Sequence, residues 1–140
     1  MVETLMDRID KILNHDLFLY HLGRNNAAEA DRRFCRHSMV HFLDVARIGT
    51  IIALEEGFKV DREWIYAAAL LHDCGKHEQY EMGTPHEQAS ARIAPEILKA
   101  CGFNDEETGV IVTAISRHRD PEAAKEKNLN GILYRADKAS

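Results

Sequence analysis

The chain has 140 residues and a mass of 15.9 kDa, which fits one domain and excludes two full ones. Hydrophobic residues make up 45% and charged residues 29%, a globular balance that excludes a disordered or collagen-like chain. With 18 basic against 23 acidic side chains the net charge is -5, so non-specific binding to nucleic acid is not expected.

Leu5, Ile9, Ile12 and Leu13 recur at helical spacing and predict a helix over 4–14. Asp16 to Leu22 continues for a further turn or two until Gly23 breaks it, and Asn25 or Asn26 can cap a short helix from Ala27 to Arg33. The stripe Met39, Phe42, Leu43, Ala46, Gly49, Ile52 and Ala53 predicts the longest helix, from Arg36 to Glu56, ended by Gly57. Asp61 caps the next, with Glu63 placed favourably for the macrodipole. That helix runs through the apolar Ile65 to Leu71 and stops near Gly75; being apolar nearly all round, it should be central. Thr84 with Pro85 at the first helical position opens a helix whose stripe is Ala89, Ile93, Ile97 and Ala100, ended by Gly102. Asn104 or Asp105 starts another, with Val110, Ile111, Ala114 and Ile115 inward, stopping before Pro121. Asn130 and Gly131 precede a last helix, Ile132 to Lys138. No alternating strand pattern occurs, so the predicted class is all-α, a compact bundle of about six to seven helices.

The greasiest stretch, Ile65 to Leu71, falls far short of the roughly 18 residues a membrane span needs. Met1 to Asp10 lacks a basic segment followed by an apolar one, so no secretory signal is expected. Cys35, Cys74 and Cys101 are odd in number and lack C-x-x-C spacing, as reduced core thiols would. A cytoplasmic protein without membrane contact is expected, and oligomeric state stays open.

Eight histidines are the compositional excess. His72-Asp73 lies at the C-terminal end of the central helix, where two adjacent side chains about 100° apart can both face one cavity. His41 is one step from Phe42 on the long helix, His86 opens the helix after Thr84, His118 follows Ala114 and Ile111 on a buried stripe, and Asp137 is one turn after Leu133. Any one of them alone reads as a buried residue bonded to the backbone. Jointly they put an imidazole or carboxylate on each of several inward helix faces, which is how bundles build metal sites.

The order His41, His72-Asp73, Asp137 resembles the H…HD…D signature of the HD-domain superfamily of metal-dependent phosphohydrolases. His41-Phe-Leu-Asp-Val-Ala resembles its first histidine motif, Ala67-Ala-Ala-Leu-Leu-His-Asp-Cys-Gly-Lys its A-x-L-L-H-D-I-G-K run, with Cys74 in place of Ile, and Tyr134-Arg-Ala-Asp137 its terminal Ala-Asp. The likeness spans 35–140, a core preceded by a helical extension over 1–34, all in one domain. It implies that His41, His72, Asp73 and Asp137 hold one metal and that His86 and His118 complete a second site, with Asp73 bridging. Such a donor set suits Fe or Mn first, with Co, Ni or Zn also open, and excludes an all-oxygen Ca²⁺ cage. His37 shares a helix face with His41 and either could be the first ligand; His41 is favoured because Val45-Ala46 follow it.

Paired cations would activate water and neutralise phosphoryl charge, so hydrolysis of a small phosphorylated substrate, a nucleotide or dinucleotide among the candidates, is the expected reaction. No Ser or Cys has an activating base at motif spacing, so water and not a side chain is the expected nucleophile. Asp73 and Lys76 are the expected catalytic residues, Lys76 through phosphate or the motif Asp; Lys76, Arg36 and His37 are candidate substrate contacts. Gln79 to Gly83 and Asp120 to Asn128 are read as specificity loops, and His15, His21 and His77 as surface residues. Two other readings stay open, since the same ligands resemble those of di-iron oxygenases in the superfamily, and a metal-stabilised binding module without turnover would share them too. The chain ends three residues past Asp137, which is abrupt for this fold, so a lost C-terminal segment is one expectation.

Overall fold

The structure is a computed structural model, and it describes residues 6–29 and 39–140. Among these residues there is no strand, and the helices are α1 (Asp7–Leu13), α2 (Asp16–Glu29), α3 (Met39–Glu56), α4 (Arg62–Leu71), α5 (Lys76–Met82), α6 (His86–Ala100), α7 (Asp105–Ser116) and α8 (Leu129–Ala139). A 3-10 turn over Pro121–Lys125 lies between the last two. The fold is all-α. Arg36 and His37, with the expected start of the long helix, lie outside the described residues, as does the end of the helix expected up to Arg33.

The centre is α4. Asp61 accepts a hydrogen bond from Glu63 N–H at 2.8 Å, fixing the helix start, and Ile65 and Ala67 to Leu71 are buried. The small Ala67, Ala68 and Ala69 let neighbours approach closely, and α3, α7 and α8 pack around them with Phe42, Val45, Ala46, Ile111, Ala114, Ile115, Ile132, Leu133 and Ala136. Each large side chain buried this way contributes about 1.5–3 kcal/mol. Ile9 and Ile12 bring α1 into the same core, and Arg8 bonds Glu63 at 2.8 Å and Glu107 at 2.9 Å, tying α1 to α4 and α7.

Several boundaries differ from the sequence reading. Gly23 does not break a helix; α2 runs straight through it, because Asn25 and Glu29 beyond it gain tertiary hydrogen bonds that offset the roughly 1 kcal/mol cost of an interior glycine. Of the segment expected as a loop, Gln79 to Met82 belongs to α5 and Gly83 is its left-handed cap; the helix's buried residues His77 and Glu78 are polar and leave no apolar stripe to read. Pro85 is the N-cap of α6, one residue later than expected. The last helix starts at Leu129, because the Asn128 side chain accepts from Asn130 N–H at 3.0 Å and so draws Asn130 and Gly131 into the first turn. The stretch Asp120 to Asn128 is also partly ordered, by Asp120 capping the 3-10 turn.

Candidate metal centre

His41 comes from α3, His72 caps the end of α4, Asp73 begins the following turn, His86 opens α6, His118 lies just past α7, and Asp137 sits in α8. The fold brings all six together. His72 and His118 follow one local rule: each lies just beyond a helix end and donates its Nδ1–H to the carbonyl three residues back, Ala69 O at 2.6 Å and Ile115 O at 2.7 Å. Those carbonyls belong to the last turns, where helix geometry leaves acceptors unused. His86 is held differently, since Gln79 Oε1 on α5 accepts from both its backbone N–H, at 2.9 Å, and its Nδ1–H, at 2.8 Å. His41 Nδ1 pairs with Ser140 Oγ at 2.9 Å. Every ring is thus gripped at Nδ1 and turns Nε2 to the shared centre.

Around that centre Asp73 faces two ways. Its Oδ2 lies 3.3 Å from His72 Nε2, while its Oδ1 lies 3.4 Å from His86 Nε2 and 3.5 Å from His118 Nε2. Asp137 Oδ1 lies 3.3 Å from both His41 Nε2 and His72 Nε2. His41, His72 and Asp73, or His72, His118 and Asp137, or Asp73, His86 and His118 each present donor atoms within 4.8 Å of one another, close enough to share an ion.

The electrostatics suit a cation. Burial pulls the His72 pKa down, but the charge of Asp73, with the charge and hydrogen bond of Asp137, outweighs it and pushes the value up to about 9. A proton there satisfies two carboxylates as a metal ion would. Burial opposes ionisation of Asp137 too, yet His41 and His72 hold it well below the usual carboxylate range. Burial drives His86 down to about 4 against the pull of Asp73, helped by the charges of Lys76, His118 and Arg119. The Cys74 thiol is pushed up to about 12 by burial and its Sγ lies 3.9 Å from Ser90 O, and among the described residues it joins none of the candidate ligand groups. Inward imidazole nitrogens and two carboxylates without sulfur fit Fe, Mn, Co, Ni or Zn.

Lys76 is the first residue of α5, at the rim, and among the described residues neither it nor Arg119 is ion-paired. Two histidines expected at the surface are buried. His21 and His77 stack in parallel and are joined by a 2.8 Å hydrogen bond. His77 Nδ1–H donates to Glu81 at 3.1 Å, which leaves its Nε2 to accept from His21 Nδ1–H. The polar face of α2 that buries them gave no hydrophobic signal. His15 is partly exposed and accepts from Leu17 N–H. Gln79 is expected from the sequence only as part of a specificity loop and Ser140 not at all, because an ordinary Gln or Ser carries no mark of the ring it will hold.

Similar proteins point to a family. A protein of Clostridium beijerinckii, itself uncharacterized, is 49% identical over 135 residues, covering 96% of this chain and 84% of its own. The crystal structure of a predicted HD superfamily hydrolase from an uncultured Thermotogales bacterium matches with a TM-score of 0.66 and 28% identity, over 86% of this chain and 66% of that one. The family model of the HD domain matches residues 39–140, from the helix bearing His41 to the one bearing Asp137. The chain belongs to the HD domain family.

Proposed function

We propose that the protein is a metal-dependent phosphohydrolase acting on a small phosphorylated substrate of the nucleotide kind, with two metal ions in the cluster. The observation that carries this reading is Asp73, whose two oxygens face separate sets of imidazoles at 3.3–3.5 Å. On this reading His41, His72, Asp73 and Asp137 hold one ion, and Asp73, His86 and His118 the other. Two bound divalent cations would supply Lewis-acid chemistry, activating water and neutralising charge on a phosphoryl oxygen. The chain's own residues orient the reaction. The Nδ1 anchors keep each ring from turning, so no reorganisation is needed when substrate enters. Lys76 and Arg119, not ion-paired among the described residues, supply positive charge felt at His86 and available to a phosphate. No helix among the described residues is long and apolar enough to cross a membrane. We place the reaction in the cytoplasm, with a diffusible substrate.

The test is elemental analysis of the purified protein, followed by a screen of phosphorylated metabolites for phosphate release with and without oxygen. Bound transition metal at up to about two ions per chain, with oxygen-independent release, is the expected result. Oxygen consumption without phosphate release would assign the site to the oxygenase branch, and ligand binding with neither would make it a binding module.

A further inference from the structure

The buried face of α2 starts with the apolar Phe18 and is polar from His21 on. His21, Asn25 and Glu29, four residues apart, stack along it toward α5 and the turn before α5. Glu29 Oε2 accepts from Tyr80 O–H at 3.0 Å, and His21 bonds His77 at the other end. Between them Asn25, 1% exposed, spans the turn that carries the ligand pair. Its Nδ2–H donates to Asp73 O at 2.9 Å, and its Oδ1 accepts from His77 N–H at 2.8 Å. The His77 amide needs it. His77 N–H lies in the first turn of α5, where no carbonyl of the helix itself can accept, and both His77 and Asn25 are buried. The Asp73 carbonyl also accepts Lys76 N–H at 3.0 Å, so Asn25 grips the turn at its closing hydrogen bond.

We propose that Asn25 is a positioning residue for the metal centre, a clasp that sets the pitch of the turn from His72 to Lys76 and with it the direction of the Asp73 carboxylate and the Lys76 ammonium. The proposal rests on the metal-binding reading above. A carboxylate that must aim one oxygen at His72 and the other at His86 and His118 tolerates little rotation of its backbone. The clasp comes from α2, outside the 39–140 that match the family, so a segment ahead of the family match contributes to the site.

Titration of the full chain with Co²⁺, followed by the visible absorption of the bound ion and its stoichiometry, tests this. Asn25→Ala should bind Co²⁺ about 10-fold more weakly, as loss of groups that orient metal ligands commonly does, with an altered absorption band. Asn25→Ser, whose hydroxyl can keep one of the two bonds, serves if the alanine variant does not fold, and should show a smaller loss in the same direction. Tyr80→Phe cuts a hydrogen bond of the same seam away from the turn, and should lower the melting temperature while leaving Co²⁺ affinity and spectrum unchanged. Wild-type affinity and spectrum in the Asn25 variants, or an equal loss in Tyr80→Phe, would overturn the proposal and leave the metal centre standing. A wild-type chain that takes up no Co²⁺ would overturn the metal reading itself, and the proposal with it.

Discussion

Asp73 is the residue on which the candidate centre turns, because each of its oxygens faces a different set of nitrogens. Asn in its place keeps the shape but removes the charge that separates two cations and the second strong donor. Asp73→Asn should therefore lower metal content at both positions and abolish phosphate release, with helical circular dichroism retained; unchanged metal content and turnover would remove the dinuclear reading. His86 reaches only one oxygen of Asp73, so His86→Ala should keep about one ion per chain and lose most turnover. Both ions and full activity in that variant would show that His86 is no ligand. A third residue reports on pH. Burial, aided by His77, Arg24 and Arg92 against Glu78, pulls His21 from its ordinary 6.5 down to about 4. The folded chain thus refuses a proton that the unfolded chain accepts. Stability from this source is complete above pH 6.5, falls as pH drops toward 4, and is gone below that. The ring lines a cavity open to solvent, so screening limits the effect to about 1 kcal/mol. Urea unfolding of wild type and His21→Gln should show their stability difference shifting against wild type by that amount between pH 7 and 4.5; a constant difference would mean His21 titrates normally.

At the scale of elements, the turn between α4 and α5 is held from two sides, by Asn25 below and by α6 against Gly75. A Cβ on Gly75 would lie 2.7 Å from both Ala89 Cβ and Ser90 N, and Gly75 N–H donates to Ser90 Oγ at 2.9 Å. Gly75→Ala must therefore push turn and helix apart, at a cost of about 1–3 kcal/mol. Because Asp73 is two residues away, metal affinity should fall along with the melting temperature; thermal unfolding with and without added metal separates the two effects, and a wild-type profile would show that the turn yields freely. The same turn marks where the sequence stops being legible. α3, α4, α6 and α7 could be read because an apolar stripe faces the core and caps such as Asp61 and Asn104 mark the starts. The six cluster residues could be read because their side-chain chemistry is unusual on such stripes. α5 and the continuity of α2 through Gly23 could not, since their shared face is built from His21, Asn25, Glu29, His77 and Glu78. Polar residues that satisfy one another across an interface look, one chain segment at a time, like residues facing water. The hold of Gln79 on His86 was invisible for a related reason: it is defined by a partner seven residues on, across a helix break.

For the whole molecule, the cluster joins residues as far apart in sequence as His41 and Asp137, drawn from both ends of the family match. An ion bound there engages only the folded chain, because the unfolded one scatters the donors, so metal stabilises the fold by mass action. With free metal at about 1,000 times its dissociation constant the gain is about 4 kcal/mol. For a chain of this length each kcal/mol is worth roughly 3–5 °C, so stripping the metal should lower the melting temperature by on the order of 10–20 °C. Yet chelation should not unfold the protein. The core around Ile65 to Leu71 is closed by α3, α7 and α8 without help from the cluster, unlike a small metal-stapled domain whose ligands are its only long-range contacts. Without metal, the buried carboxylate of Asp73 and the partly buried one of Asp137 share one site, and protonated His72 between them offsets their repulsion. The metal-free protein at neutral pH should therefore melt cooperatively at a lower temperature with unchanged far-ultraviolet circular dichroism at 25 °C, and recover fully when metal is restored. Loss of helical signal on chelation would show that the core alone does not hold the fold. An unshifted melting temperature, in protein shown by elemental analysis to have lost its metal, would show that the six side chains do not act together as a site.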